Sequence, residues 1–326
     1  MSIINGSVKW GIIGCGDVCE VKSGPAFNKV PDSKLVAVMR RDEAKAKDYA
    51  LRHGVPKYYT NANDLVNDEE VSAIYIATPP STHEEYTEMA LKAGKPVYVE
   101  KPVSLSSAAT ERMIEMEMNC KGKVSVAHYR RSLPLFIKIK QLINEGAIGK
   151  VRLVLLKTLQ PSVNNKPSAE NWRIVPGISG GGIFHDISPH QLDILYWLFG
   201  SPLETNLIPA NQGKHYDAAD SILLQMKFDD EIYFSGVWNF NISDSAAEES
   251  CEIIGDKGKI RFSFFKISKI ELSTGEGNQV FEEEYPINIQ EPHIHNVVKF
   301  FRGESDNPCT LKEALVTMNI LDKAVI

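Results

Sequence analysis

Short apolar runs alternate with amphipathic stretches through the first third of the chain. KWGIIG (9–14), LVAVMR (35–40) and SAIYIAT (72–78) are strand-length runs rich in β-branched residues. Their apolar character is continuous, as in a parallel strand covered on both faces. VPKYYT (55–60), the Val97–Val99 run and KVSVAHY (123–129) are three further strand candidates. Between them DEAKAKDYALRHG (42–54), NANDLVND, HEEYTEMALKAG (83–94) and SSAATERMIEMEMNCKG (106–122) read as helices, with Gly54 and Gly94 as stops. Strands alternating with helices predict a parallel sheet with crossover connections.

After about residue 128 the rhythm changes. A helix is expected over 133–149, a strand over 150–159, and a loop rich in Pro, Asn and Ser over 160–171. From 203 onward strand patterns dominate: DSILLQMKF, EIYFSGVWNF, ESCEIIGDKGKIRFS and FFKISKIELST, with DDE (229–231) and GDKG (255–258) at turn positions. Helices at roughly 293–302 and 311–325 follow. A chain of 326 residues exceeds one ordinary core. The expectation is an α/β protein of two domains, a doubly wound parallel sheet over 1–127 and an α+β domain with a mostly antiparallel open sheet over 128–326.

Composition narrows the partners. Forty-two acidic against 36 basic residues leave a net charge of −6, which offers no attraction to nucleic acid or an anionic membrane. No apolar run is long enough to cross a bilayer, and the first residues lack the layout of a secretion signal. Five cysteines at irregular spacing suit reduced thiols in a cytoplasmic compartment.

Gly14-Cys15-Gly16-Asp17-Val18-Cys19 follows the first strand and opens a helical segment. Gly14 permits a tight turn, Gly16 lets a pyrophosphate approach the backbone N–H groups of Asp17 and Val18, and the small Cys19 takes the third, usually Gly or Ala, position. Position in the strand–helix series makes this a Rossmann dinucleotide turn. The second strand ends in Arg40-Arg41-Asp42, with arginine where an acid gripping the ribose of NAD is expected. A guanidinium suits a 2′-phosphate, so NADP is favoured over NAD, with Asp42 as the alternative route to the ribose.

Two charged clusters break the apolar pattern. VYVEKPVS (97–104) runs from a buried strand directly into Glu100 and Lys101. GISGGGIFHDISPHQLDILYWLFG (177–200) places Asp186 and His190 one helical turn apart. An aspartate there can orient the imidazole and raise its basicity for acid–base work near neutrality. With His185 as the only further donor and no fixed third partner, no metal site is expected.

Together, the GxGxx(small) turn, Thr78-Pro79-Pro80-x-x-His83, the Glu100-Lys101-Pro102 strand end and the Gly180–Gly182 run with Asp186 and His190 resemble the glucose–fructose oxidoreductase/inositol dehydrogenase (Gfo/Idh/MocA) family across nearly the whole chain. Asn171-Trp172-Arg173 is similar to its 1,5-anhydrofructose reductase-like branch. The resemblance implies catalytic roles for Lys101, Asp186 and His190, contact of Glu100 with the nicotinamide ribose, and of Thr78, Pro79 and His83 with the cofactor. Trp172 and Arg173 are then placed beside nicotinamide or substrate, and the Lys101–Pro102 bond is implied to be cis. Tyr129 and Arg130, ending the last strand of the series, are candidates for substrate hydroxyls. A homodimer or homotetramer, a sugar or polyol substrate and reversible hydride transfer complete the expectation. The alternative is a dinucleotide-binding sensor without turnover, which needs the turn but not the lysine, aspartate and histidine together.

Overall fold

The computed structural model describes residues 3–162, 171–266 and 268–326. In chain order the first part holds β1 (Val8–Ile13), α1 (Asp17–Val21), β2 (Ser33–Met39), α2 (Glu43–His53), β3 (Lys57–Tyr59), α3 (Ala62–Val66), β4 (Ala73–Ile76), α4 (His83–Lys92), β5 (Val97–Val99), α5 (Ser107–Asn119) and β6 (Val124–Val126). Then come α6 (Pro134–Asn144), β7 (Val151–Pro161), α7 (Pro176–Ser179), α8 (Gly182–Phe199), β8 (Glu204–Ala210), β9 (Ser221–Lys227), β10 (Tyr233–Ile242), β11 (Glu248–Gly255), β12 (Gly258–Phe262), β13 (Lys269–Thr274) and β14 (Gly277–Glu282). α9 (Glu291–Phe301) and α10 (Leu311–Leu321) follow. Of the loop expected over 160–171, residues 163–170 lie outside the described residues, as does residue 267. Among the described residues no helix is long and apolar enough to cross a membrane.

The first sheet has the order β3-β2-β1-β4-β5-β6 and is parallel throughout. β4, β5 and β6 are buried at every position, which explains their unbroken apolar runs. α2 shows why its segment folds locally: Asp42 caps it by accepting from the Lys45 N–H, and Ala46, Tyr49 and Ala50 line its buried side. The helix after the glycine turn is short. α1 ends at Val21, and Gly24-Pro25 starts a separate 3₁₀ turn over Gly24–Asn28, where the proline lacks the N–H a continuing helix needs.

The second sheet has the order β14-β13-β12-β11-β7-β10-β9-β8. It is antiparallel except between β7 and β10. Alternating exposure along β7, β9 and β10 marks one covered and one open face.

The chain forms two compact units. The first takes residues up to Tyr129 together with Pro286–Met318, the second Arg130–Tyr285 and Asn319–Ile326. The polypeptide therefore crosses between units more than once, where the sequence suggested a single boundary at 127/128. The returning segment is no appendage: Ile294, Val297, Val298 and Phe301 of α9 join the buried cluster of the first unit. There the Trp10 ring lies 4.8 Å from Phe27 and 5.5 Å from Phe301, centroid to centroid.

Candidate active site

In the first unit the turn after β1 hangs from β2, with the Gly14 N–H donating to the Met39 carbonyl at 2.9 Å. Gly14 sits at φ +89, and a Cβ there meets Thr78 Cγ2 at 2.6 Å. No other residue type fits both the conformation and the contact. Gly16 is different. A Cβ on it finds only the Gly14 carbonyl oxygen at 3.9 Å, so the protein leaves open the space a second glycine reserves for a ligand. Asp17 and Val18 begin α1, and their N–H groups lack intrahelical acceptors. Cys19 is fully buried with its Sγ 3.9 Å from the Gly14 carbonyl oxygen, so the third position is filled by a small packed side chain. Burial raises the Cys15 thiol to about 11, which keeps it protonated at neutral pH.

Arg40 is partly exposed at the end of β2 and donates from a terminal nitrogen to the Cys15 carbonyl at 3.2 Å. Arg41 is exposed beside it. The carboxylate of Asp42 accepts from the Lys45 N–H at 3.1 Å as the cap of α2. The open space at Gly16 and the guanidinium at the end of β2 fit a bound dinucleotide.

The tips of β4 and β5 are joined by His83. Its ring is fully buried, with Nε2 2.7 Å from the Thr78 carbonyl oxygen and Nδ1 3.0 Å from that of Pro102. Burial lowers its pKa, and a neutral ring donates to one of these carbonyls only. His83 is thus a clamp between loops, with Thr78 and Pro79 partly exposed on one side and the cis Lys101–Pro102 bond on the other. Glu100 is buried; its Oε1 accepts from the Tyr75 hydroxyl and from Gln290 Nε2, both at 2.6 Å, and its Oε2 from the Lys101 N–H at 3.2 Å. Lys101 itself is partly exposed. Tyr129, the last residue of this part of the unit, is buried.

The second unit carries the other cluster. Trp172 and Arg173 form a short 3₁₀ turn, the guanidinium 4.6 Å from the indole centroid. The Arg173 Nε–H donates to Asp186 at 3.0 Å, an ion pair that the sequence did not suggest. Asp186 and His190 lie one turn apart on α8, as expected. The glycine run before them makes room for rings. A Cβ on Gly181 meets His185 Cε1 at 2.1 Å, and one on Gly182, at φ +78, meets Ala218 Cβ at 2.8 Å and Tyr216 Cε2 at 3.1 Å. His185 is buried, and desolvation holds its pKa down at about 4, so it is neutral. It takes no part as a charged group near neutral pH.

His190 is mostly buried, with the Phe265 ring edge-on at 6.0 Å. Phe265 is the most exposed phenylalanine of the chain, at 37%. It is held from beneath by Arg130, whose guanidinium lies 4.6 Å from its centroid and donates to the Phe264 carbonyl at 2.6 Å. Glu249 pins the same turn, accepting from the Phe264 N–H at 3.0 Å and from the Ser263 hydroxyl. Arg130 is buried here among phenylalanines. Its neighbour Arg131 forms a buried ion pair with Asp193 on α8, the shortest contact being 2.7 Å. No local motif marks Phe265, Glu249 or Gln290, because each reaches its cluster from distant sequence.

Residues 8–128 match the family model for an oxidoreductase family with an NAD-binding Rossmann fold, GFO_IDH_MocA. Residues 136–261 match the GFO/IDH/MocA C-terminal domain. The chain is similar to Oxidoreductase P35 of Formosa agariphila, 42% identical over 319 residues that cover 97% of each protein. It is 26% identical over 279 residues to inositol 2-dehydrogenase of Rhizobium meliloti, covering 83% of this chain and 80% of the relative. Among solved structures, levoglucosan dehydrogenase in complex with NADH and levoglucosan is similar in fold, with a TM-score of 0.83 and 21% identity over 98% of this chain and 96% of that one.

Proposed function

Because this chain belongs to the GFO/IDH/MocA family of oxidoreductases, we propose that it interconverts a carbinol and a carbonyl carbon of a sugar or polyol with a nicotinamide dinucleotide, NADP in preference to NAD. The main support is the tip of β5, where Glu100 and Lys101 emerge at the carboxyl edge of the parallel sheet, the edge that also carries the Gly14–Gly16 turn. The nicotinamide ring supplies or accepts the hydride. The protein manages the oxygen and its proton. Lys101 donates a hydrogen bond to the reacting oxygen and stabilises negative charge developing on it. His190 takes up or returns the proton, and Asp186, held by Arg173 one helical turn away on α8, orients the imidazole. This requires Lys101 of the first unit to meet Asp186 and His190 of the second in one cleft.

The cofactor preference follows from Arg40 and Asp42. The aspartate serves as a helix cap, while the guanidinium donates to the Cys15 carbonyl from one terminal nitrogen and has further N–H groups of the kind a 2′-phosphate accepts from. Ile208 and Leu223, cross-strand neighbours on the open face of the second sheet and both about half-exposed, support a homodimer or homotetramer, which analytical ultracentrifugation measures. The substrate class is carried over from relatives, one named an inositol 2-dehydrogenase and another bound to levoglucosan. Incubation with NADPH or NADH and a panel of ketoses, aldoses, inositols and anhydrosugars, followed by nicotinamide absorbance, tests the proposal. Turnover of a sugar or polyol, faster with NADPH, is the expected result. Tight dinucleotide binding with silence across the panel points instead to a sensor.

A further inference from the structure

α1 has five residues, too few to sustain a helix without outside support. Its last carbonyls are met by the segment that returns from the far end of the chain: the Asn288 side-chain amide donates to the Val21 carbonyl, and the Gln290 N–H donates to the Lys22 carbonyl at 3.1 Å. The side chain of the same Gln290 reaches β5 and its tip. Its Nε2 donates to Glu100 Oε1 at 2.6 Å, while its Oε1 accepts from the Tyr98 hydroxyl at 3.0 Å. Both ends of the amide are used, so its orientation is fixed. Tyr75 completes the arrangement, donating its one hydroxyl proton to Glu100 Oε1 at 2.6 Å, with Ser23 Oγ 3.1 Å from the same phenolic oxygen. Gln290, Tyr75 and Tyr98 are fully buried, where an unmet polar group is costly and a satisfied network is stiff.

We propose that Gln290 is a positioning residue for the dinucleotide, a strap that secures α1 behind the pyrophosphate turn and Glu100 at the ribose end at the same time. Two bonds on Oε1 aim the carboxylate, and Oε2, which accepts from the Lys101 N–H at 3.2 Å, keeps acceptor capacity for the cofactor. This rests on the proposed dinucleotide site and goes beyond it by assigning part of cofactor affinity to a residue outside every motif.

The test is Gln290→Met, which keeps the volume and removes both side-chain hydrogen bonds, together with Tyr98→Phe, which removes only the hydroxyl that holds the amide. Dinucleotide Kd is measured by equilibrium dialysis, sugar KM at saturating dinucleotide by turnover, and Tm by calorimetry. Gln290→Met is expected to weaken dinucleotide binding about tenfold and Tyr98→Phe about threefold, with sugar KM unchanged. In a Glu100→Gln background the Gln290 effect on Kd shrinks, because the group it aims has changed. A lowered Tm with unaltered Kd in either variant overturns the proposal, and Tyr98→Phe serves if Gln290→Met does not fold. Failure of the wild type to bind any dinucleotide is a separate result, which removes the function proposed above.

Discussion

Gly14 and Gly16 differ in what they are for, although the sequence writes them alike. Gly14→Ala puts a Cβ 2.6 Å from Thr78 Cγ2 in a backbone of φ +89, and is expected to cost about 1–3 kcal/mol of stability, read as a lower Tm. Gly16→Ala meets no protein atom closer than 3.9 Å and leaves Tm nearly unchanged, but weakens dinucleotide binding about tenfold or more by equilibrium dialysis. Equal losses of Tm in the two variants would contradict the distinction. Lys101→Met is expected to lower kcat by about a hundredfold or more while dinucleotide Kd stays within about twofold. Wild-type-like turnover in that variant excludes the lysine as the group on the reacting oxygen. These residues were legible because glycine, lysine and histidine stand out against apolar runs. Gln290 was not, since a buried glutamine near a proline has no pattern of its own until Glu100 and Tyr98 are seen around it.

At the level of elements, α8 carries the proposed catalytic residues Asp186 and His190 on a helix that is largely buried. Gly181→Ala drives a methyl into the His185 ring, 2.1 Å from Cε1, and displaces the helix that carries Asp186 and His190. Loss of turnover with a lowered Tm is the expected outcome. His185 also makes stability depend on pH. Its folded pKa is about 4, against about 6.5 in an unfolded chain. Between those values the unfolded state binds more protons, so this contribution is complete above the upper value and is lost as pH falls toward the lower, up to about 3 kcal/mol. His185→Leu should flatten that part of the Tm-against-pH curve relative to wild type. The strands show how far pattern alone reaches. β4 and β5, buried on both faces, were plain, and β9 to β12 alternated visibly. β8 and β14 escaped notice, and both are edge strands. β8 contains Pro209 and β14 is mostly exposed, so neither carries the apolar signal that burial imposes.

For the molecule as a whole, the first unit owes its core to two separated stretches of chain. Trp10 and Phe27 pack with Phe301, and Tyr98 is bonded to Gln290. A chain stopped after Tyr285 lacks α9 and is expected to lose the cooperative thermal transition of the first unit, measured by calorimetry and near-ultraviolet circular dichroism. A persisting sharp transition for that unit would show that α9 is dispensable. The Arg131–Asp193 pair, buried within the second unit, gives a contrast that does not involve the returning segment. Arg131→Met removes the cation from this buried carboxylate and is expected to cost about 3–5 kcal/mol, read as a lower Tm. The division of the first unit also has a bearing on synthesis. Its opening 129 residues leave the ribosome with the Trp10 cluster still lacking one wall, and the wall arrives only after Arg130–Tyr285 has been translated. At about 5–20 residues per second that interval is on the order of ten seconds or more, during which a nascent chain presents apolar surface suited to capture by chaperones.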